Sequence, residues 1–302
     1  MGIAHFTGLG KSPGAVTSGL SYLKEEYGDR EEYGKIVEKV VLFTSSEVVE
    51  GRVKAIHSVC NEYMRRTVQK SWADRLDNPV EIVKEFLARE FTDVELYVCT
   101  LDVNDFSACF EAVAKVLLKF HPPGQVGKHV FANITGSTNI LNAAILHVAY
   151  LSGLIPIIYY TFIRDVREDG KFLKPFSRDP NEFRFRLTYV FKTNFDLKYK
   201  YLLEVLEESK HRWLPVGELL TRLKDRHPLE FLEVDETTLI RDFLNIIPGI
   251  DRRGDSNKIN QEGERMLAVL RSPLFEILTR SRPYTQRELE ELVGSLNLVR
   301  YM

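Results

Sequence analysis

Cysteine is scarce in this chain, and its placement excludes two classes at once. Cys60, Cys99 and Cys109 are odd in number and form no Cys-x-x-Cys pair, so a disulfide framework or a structural zinc site is not expected. Long apolar runs are also missing. The best, Ile155 to Phe162, is the length of a strand and far short of a bilayer span. The first residues lack the basic start and apolar stretch of a secretion signal, so a cytoplasmic protein without membrane association is expected. No charge of one sign dominates: 41 Lys and Arg stand against 43 Asp and Glu. From Asp196 onward the count is 17 basic against 19 acidic, which argues against a polybasic surface for duplex DNA. The seven histidines are scattered, no cluster of His, Asp and Glu has metal-site spacing, and neither a metal nor a cofactor is expected.

What is present is a chain of 302 residues, 44% of them hydrophobic, enough for one large domain or two ordinary ones. The first two-thirds alternate apolar strand-length runs with helical periodicity. Residues 2–7 read as a strand, Ala15 to Tyr27 as a helix, and Val40 to Thr44 as a buried strand. A helical stretch through Ile56, Val59, Cys60 and Met64 follows, then a helix over Val80 to Phe91. Strands are expected at Val94–Val98, Val130–Ile134 and Ile155–Phe162, with helices at Asp105–Phe120 and Ile140–Leu151 between them. Glu168-Asp-Gly-Lys171 suits a hairpin tip, and Phe183 to Phe191 alternates like a further strand. This order predicts an α/β fold with a mainly parallel, Rossmann-like sheet covered on both faces. Ligands of such sheets sit beyond the carboxyl ends of the strands.

The pattern changes near Asn194. Helices are expected at Tyr199–Ser209, Val216–Arg226 and Asp235–Ile246, the last capped by Asp235. A polar wing over Pro248–Lys258 and a short element opening a helix near Ile259 follow. Three helices and a wing predict a C-terminal winged helix-turn-helix domain. The expected division is therefore 1–193 and 194–302, with one more helical stretch over Tyr284–Val299.

Two loops at strand ends carry candidate chemistry. The first presents Gly8, Gly10, Lys11, Ser12 and Gly14 ahead of a helix. Glycine lets the backbone approach a ligand, and a helix start offers N–H groups and a positive dipole end. The spacing is neither that of a Walker A loop nor GxGxxG, and a plain turn would look the same. The second loop places Asn133, Thr135, Gly136, Ser137, Thr138 and Asn139 at a strand-to-helix junction. Most of these side chains can donate to phosphate or read base edges, and Ser137 or Thr138 can also cap the helix.

The pair of loops, the apolar helix with Ala143 and Ala144, Gly153 and the Tyr159-Tyr160 strand together resemble the CRISPR-associated Rossmann-fold (CARF) domains. With a winged helix behind it, the chain is similar to the archaeal CARF ring nucleases and to CARF transcription regulators. The resemblance implies a homodimer binding cyclic tetra-adenylate across its two-fold axis. It implies metal-free cleavage to linear di-adenylates ending in 2′,3′-cyclic phosphate, which switches off type III CRISPR signalling. Ser12 matches the family's catalytic serine position. Lys171 is the best match for its lysine after the Tyr-Tyr strand, with Arg164 and Arg167 as substitutes. Three other readings stay open: a ligand-controlled regulator reading duplex DNA, a ligand-activated RNase built on Arg222 and His227, and a domain that binds nucleotide without chemistry.

Overall fold

The computed structural model describes residues 3–27, 37–55, 76–122, 129–163, 183–190, 192, 195–279 and 284–302. Two units emerge, Met1–Thr193 with Tyr284–Met302, and Asn194–Pro283.

The first unit is built in chain order from β1 (Ile3–Gly8), α1 (Gly14–Tyr27), β2 (Lys39–Thr44), the single turn α2 (Ser46–Val49), α3 (Pro79–Glu90), β3 (Glu95–Thr100), α4 (Phe106–Phe120), β4 (His129–Asn133), α5 (Asn139–Ser152), β5 (Ile157–Ile163) and β6 (Phe183–Tyr189). Among the described residues these strands and a late strand make a seven-stranded sheet. β3, β2, β1, β4 and β5 run parallel in that order. This is the Rossmann-like α/β architecture: a short strand, a helix across the face, and the next strand alongside.

Local chemistry explains the boundaries. Asn78 caps α3 by accepting from Val80 N–H at 2.8 Å, and Pro79 sits where its missing N–H costs nothing. Asp105 caps α4 through Ser107 and Ala108 N–H. Gly153 ends α5 at φ +66°, a left-handed turn that glycine adopts without strain.

The two faces of the sheet differ. Val16, Leu20 and Leu23 of α1 and Val83, Phe86 and Leu87 of α3 pack on Val40, Leu42, Leu96, Val98, Phe131 and Tyr159. On the other face Phe6 meets Phe43 edge-on, and Tyr97 meets Phe120 of α4 at 4.8 Å between ring centres. Cys99 and Cys109 are buried, and burial pushes their thiols up to about 12 and about 11. They pack as small apolar groups; Cys60 lies outside the described residues.

The second unit holds α6 (Lys198–Glu208), β7 (Leu214–Pro215), α7 (Val216–Arg226), α8 (Pro228–Phe231), α9 (Glu236–Leu239) running into a π turn (Ile240–Leu244), β8 (Ile250–Arg253), β9 (Ser256–Ile259), α10 (Gln261–Leu270) and α11 (Pro273–Thr279). β7, β9 and β8 form a small antiparallel sheet, with Gly254 at φ +60° in the β8–β9 turn. Asp235 caps α9 by accepting from Thr238 N–H at 2.7 Å, but the expected single helix over Asp235–Ile246 is broken by the π turn.

The tail corrects the sequence-based division. The helix expected over Tyr284–Val299 is α12 (Gln286–Val293) followed by β10 (Leu298–Arg300). β10 pairs antiparallel with β3, so residues 284–302 return to the first unit. Tyr301 N–H donates to Leu96 O at 2.8 Å and closes that edge. The other edge strand, β6, is antiparallel to β5. The expected helix through Ile56 to Met64 and the hairpin tip at Glu168–Lys171 lie outside the described residues.

Candidate functional site

The sheet reverses its direction of growth at β1: β2 lies on one side and β4 on the other. A crevice opens at such a switch point, beyond the carboxyl ends of the two strands. The turns that leave β1 and β4 are the two polar loops, and their strands are paired with Thr7 opposite Asn133.

The turns meet. A side chain added at Gly136 would place its Cβ 2.7 Å from Ala15 Cβ and 3.3 Å from Gly8 O, and one at Gly8 would lie 2.3 Å from Ser137 Cβ. A Cβ at Gly10 would be 3.5 Å from Gly136 O. Glycine at 8 and 136 is therefore a steric requirement of the contact. Asn133 is fully buried between the turns. Its Nδ2 donates to Ala15 O at 2.9 Å, and its Oδ1 accepts from Thr135 N–H at 2.9 Å.

The first turn is fastened at its base. Leu9 N–H donates to Phe43 O at 2.9 Å and Thr44 Oγ1 donates to Leu9 O at 2.7 Å. Ser12 O accepts from Ala15 N–H at 3.2 Å, which starts α1. Ser12 is half-buried, Lys11 is exposed, and Gly14 is buried in the first turn of α1. In the second turn Thr138 is the cap of α5: its hydroxyl accepts from Leu141 N–H at 3.2 Å and donates to Val103 O at 2.9 Å. Helix geometry leaves the Asn139 and Ile140 N–H groups without intrahelical partners, a place suited to an anion.

Several expected ligand contacts are buried or already engaged. The Ser137 hydroxyl is buried beside Gly8 and has no hydrogen-bond partner among the described residues. Thr138 is committed to capping, and Asn133 to holding the turns. Thr135 and Gly136 are half-buried and Asn139 is exposed. Lys171, Arg164 and Arg167 lie outside the described residues. Among the described residues no group of three His, Cys, Asp or Glu side chains is placed to hold a metal ion. No described helix is long and apolar enough to cross a membrane.

Sequence reasoning missed the layer beneath the turns. His5 is fully buried, and burial lowers its pKa to about 3, so the ring is neutral at ordinary pH. Its Nε2 is hydrogen-bonded to the Tyr159 hydroxyl. Burial raises the Tyr159 pKa well above its ordinary value, while a hydrogen bond from Asn133 pulls the other way. A histidine inside an otherwise apolar strand was the one visible signal.

In the second unit Arg222 is engaged by Glu218 at 2.8 Å and Ser209 at 2.9 Å, and His227 stacks on Tyr201 at 3.7 Å between ring centres. Arg241 is paired with its neighbour Asp242 at 2.5 Å. Arg252 bonds Asn245, and Arg253 lies over the Trp213 ring at 4.9 Å.

No family model matches this sequence. An uncharacterized protein of Archaeoglobus fulgidus is 27% identical over 194 residues, covering 55% of this chain and 59% of that protein. Among solved structures, Enterococcus italicus Csm6 bound to cyclic hexa-2′-fluoro-hexa-dAMP is similar at 13% identity and a TM-score of 0.34, covering 97% of this chain and 60% of that one. The chain thus spans about three-fifths of each. The class of fold rests on the strand order and register given above, which define a Rossmann-like α/β sheet with its switch point between β1 and β4.

Proposed function

We propose that the two turns form one cradle for a cyclic oligoadenylate, and that the protein is a metal-independent ring nuclease acting on cyclic tetra-adenylate. One observation carries this reading: the turns converge, glycine against alanine, at the switch point of the sheet. The start of α5, the exposed Lys11 and the half-buried Ser12 lie just beyond adjacent strand ends and are of types that suit phosphate.

Cleavage of this kind needs little from the protein. The ribose 2′-oxygen attacks the adjacent phosphorus, the P–O5′ bond breaks, and the 2′-hydroxyl proton ends on the departing 5′-oxygen. Two such events convert one ring into two linear di-adenylates with 2′,3′-cyclic phosphate ends and would quench type III CRISPR signalling. Holding the three reacting atoms in line supplies much of the acceleration. Hydrogen-bond donors on the phosphoryl oxygens supply more. Ser12 is assigned to phosphate contact and alignment, and Lys171, with Arg164 or Arg167 in its place, to charge.

A homodimer belongs to this reading. Phe106 and Tyr150 are 41% and 40% exposed on α4 and α5, with Phe106 edge-on to His147. Exposed aromatics of this kind suit a two-fold contact that sets two cradles side by side. The second unit, Asn194–Pro283, is proposed as a winged helix serving structure or assembly. Duplex DNA binding is not part of the reading: Arg241 is paired with Asp242 within the unit, and acidic residues outnumber basic ones there. An RNase role for Arg222 and His227 is set aside because Arg222 is engaged by Glu218 and His227 stacks on Tyr201.

The test is incubation with cyclic tetra-adenylate in the presence of a chelator. Linear di-adenylates with cyclic phosphate ends are expected, and their loss in Ser12→Ala assigns the turn. An intact ring after prolonged incubation, with binding retained, leaves a sensor without chemistry; absence of binding removes the cradle.

A further inference from the structure

Polar groups lie beneath the turns that the proposed reaction never touches. By strand register, Tyr159 stands beside Asn133, Asn133 beside Thr7, and His5 two residues before Thr7, all on the face covered by α1. The Tyr159 ring runs under α1, where Gly19 makes room: a Cβ there would lie 2.6 Å from the ring. Its hydroxyl is bonded to His5 Nε2, and the Asn133 side chain stands beside it in the register, where it lowers the Tyr159 pKa against the effect of burial.

The partners fix the roles of each atom. Asn133 donates to Ala15 O and accepts from Thr135 N–H, which leaves one amide hydrogen for its register neighbour Tyr159. The Tyr159 proton then points to His5 Nε2, and the neutral imidazole carries its own proton on Nδ1. That Nδ1 is buried and finds no hydrogen-bond partner among the described residues. Burying an unsatisfied group destabilises, and two apolar side chains would pack here without that cost. The pair makes sense if what it holds matters.

We infer that Tyr159, oriented by His5, is a positioning residue: it locks the Asn133 side chain, and Asn133 in turn sets the separation between the start of α1 and the second turn. The inference rests on the reading of those turns as one cradle. Asn133 has a handhold in each turn and a third on Tyr159, so losing the third frees it to rotate away from the other two.

Amide hydrogen exchange of the full-length protein without ligand tests this independently of any activity. In Tyr159→Phe the Thr135 amide should exchange roughly 10-fold faster or more, while amides inside β1 and β4 keep their protection. A double variant, His5→Leu with Tyr159→Phe, also removes the stranded imidazole. Its melting temperature should recover toward wild type while Thr135 stays fast, a separation that mere packing would not produce. It also decides the matter should the single variant not fold. Unchanged Thr135 exchange in Tyr159→Phe, or Thr135 protection that returns together with the melting temperature, overturns the inference. With cyclic tetra-adenylate added, kcat should fall roughly 10-fold or more with little change in binding; weakened binding at unchanged kcat overturns the alignment role. A wild type that neither binds nor cuts the ring defeats the proposed function and leaves the exchange result standing.

Discussion

The two turns at the switch point are built differently. The first is anchored at its root, where Leu9 bonds Phe43 and Thr44, while Gly10, Lys11 and Ser12 reach outward. The second is braced along its length: Asn133 holds Thr135, Asn142 Nδ2 donates to Ile134 O at 2.9 Å, and Thr138 caps α5. The Thr138 hydroxyl is consumed by the brace, and the Ser137 hydroxyl is buried beside Gly8. The comparison teaches a division of labour: the second turn fixes shape, and in the proposed reading the first supplies the groups for chemistry.

Substitutions can break that division, and the largest effect is expected at Gly136. Gly136→Val drives a branched side chain into Ala15 and the Gly8 carbonyl. Overpacking of this kind costs about 1–3 kcal/mol, and forcing the turns apart should abolish ring binding, read by thermal melting and by titration with cyclic tetra-adenylate. Ser12→Ala comes next and sharpens the contrast. It should leave the melting temperature within error and lower the cleavage rate about 100-fold, the scale for loss of a donor aimed at a charged transition state.

The layer under both turns gives a pH signature. The His5 pKa is about 3 in the folded chain against 6.5 for an ordinary histidine. Between those values the unfolded chain binds a proton that the folded chain does not. Stability therefore falls as pH drops below about 6.5, by about 1.4 kcal/mol per pH unit from this group. Denaturant melts of wild type and His5→Leu at pH 7 and pH 5 should show a shallower fall in the variant. The smallest effect is expected at the cap: Thr138→Ala should cost about 1 kcal/mol with the ring still cleaved, since that hydroxyl already serves α5 and Val103.

Legibility in the sequence followed range. Strand, turn and helix at both loops were readable because apolar periodicity and capping residues are local, and Asp105, Asp235 and Thr138 all cap helices. The convergence of the turns needed the β1–β4 pairing to become visible. His5 and Tyr159 stand 154 positions apart, and no local pattern joins them. β10 is three residues long and exists by virtue of β3, so periodicity carried the tail on as helix. The π turn was missed because a wider turn leaves the spacing of Leu239, Phe243 and Leu244 helical in appearance.

The return of the tail to β3 makes Asn194–Pro283 an insertion rather than an appendage. The polypeptide leaves the sheet from one border strand, β6, and rejoins it at the opposite border, β10. Seven strands place those borders about 29 Å apart at ordinary strand spacing. A deletion that replaces the insertion must leave α12 and the chain into β10 able to cross that width. A join too short to allow this would peel β10 away and bare the flank of β3, a template for stacking one molecule onto another.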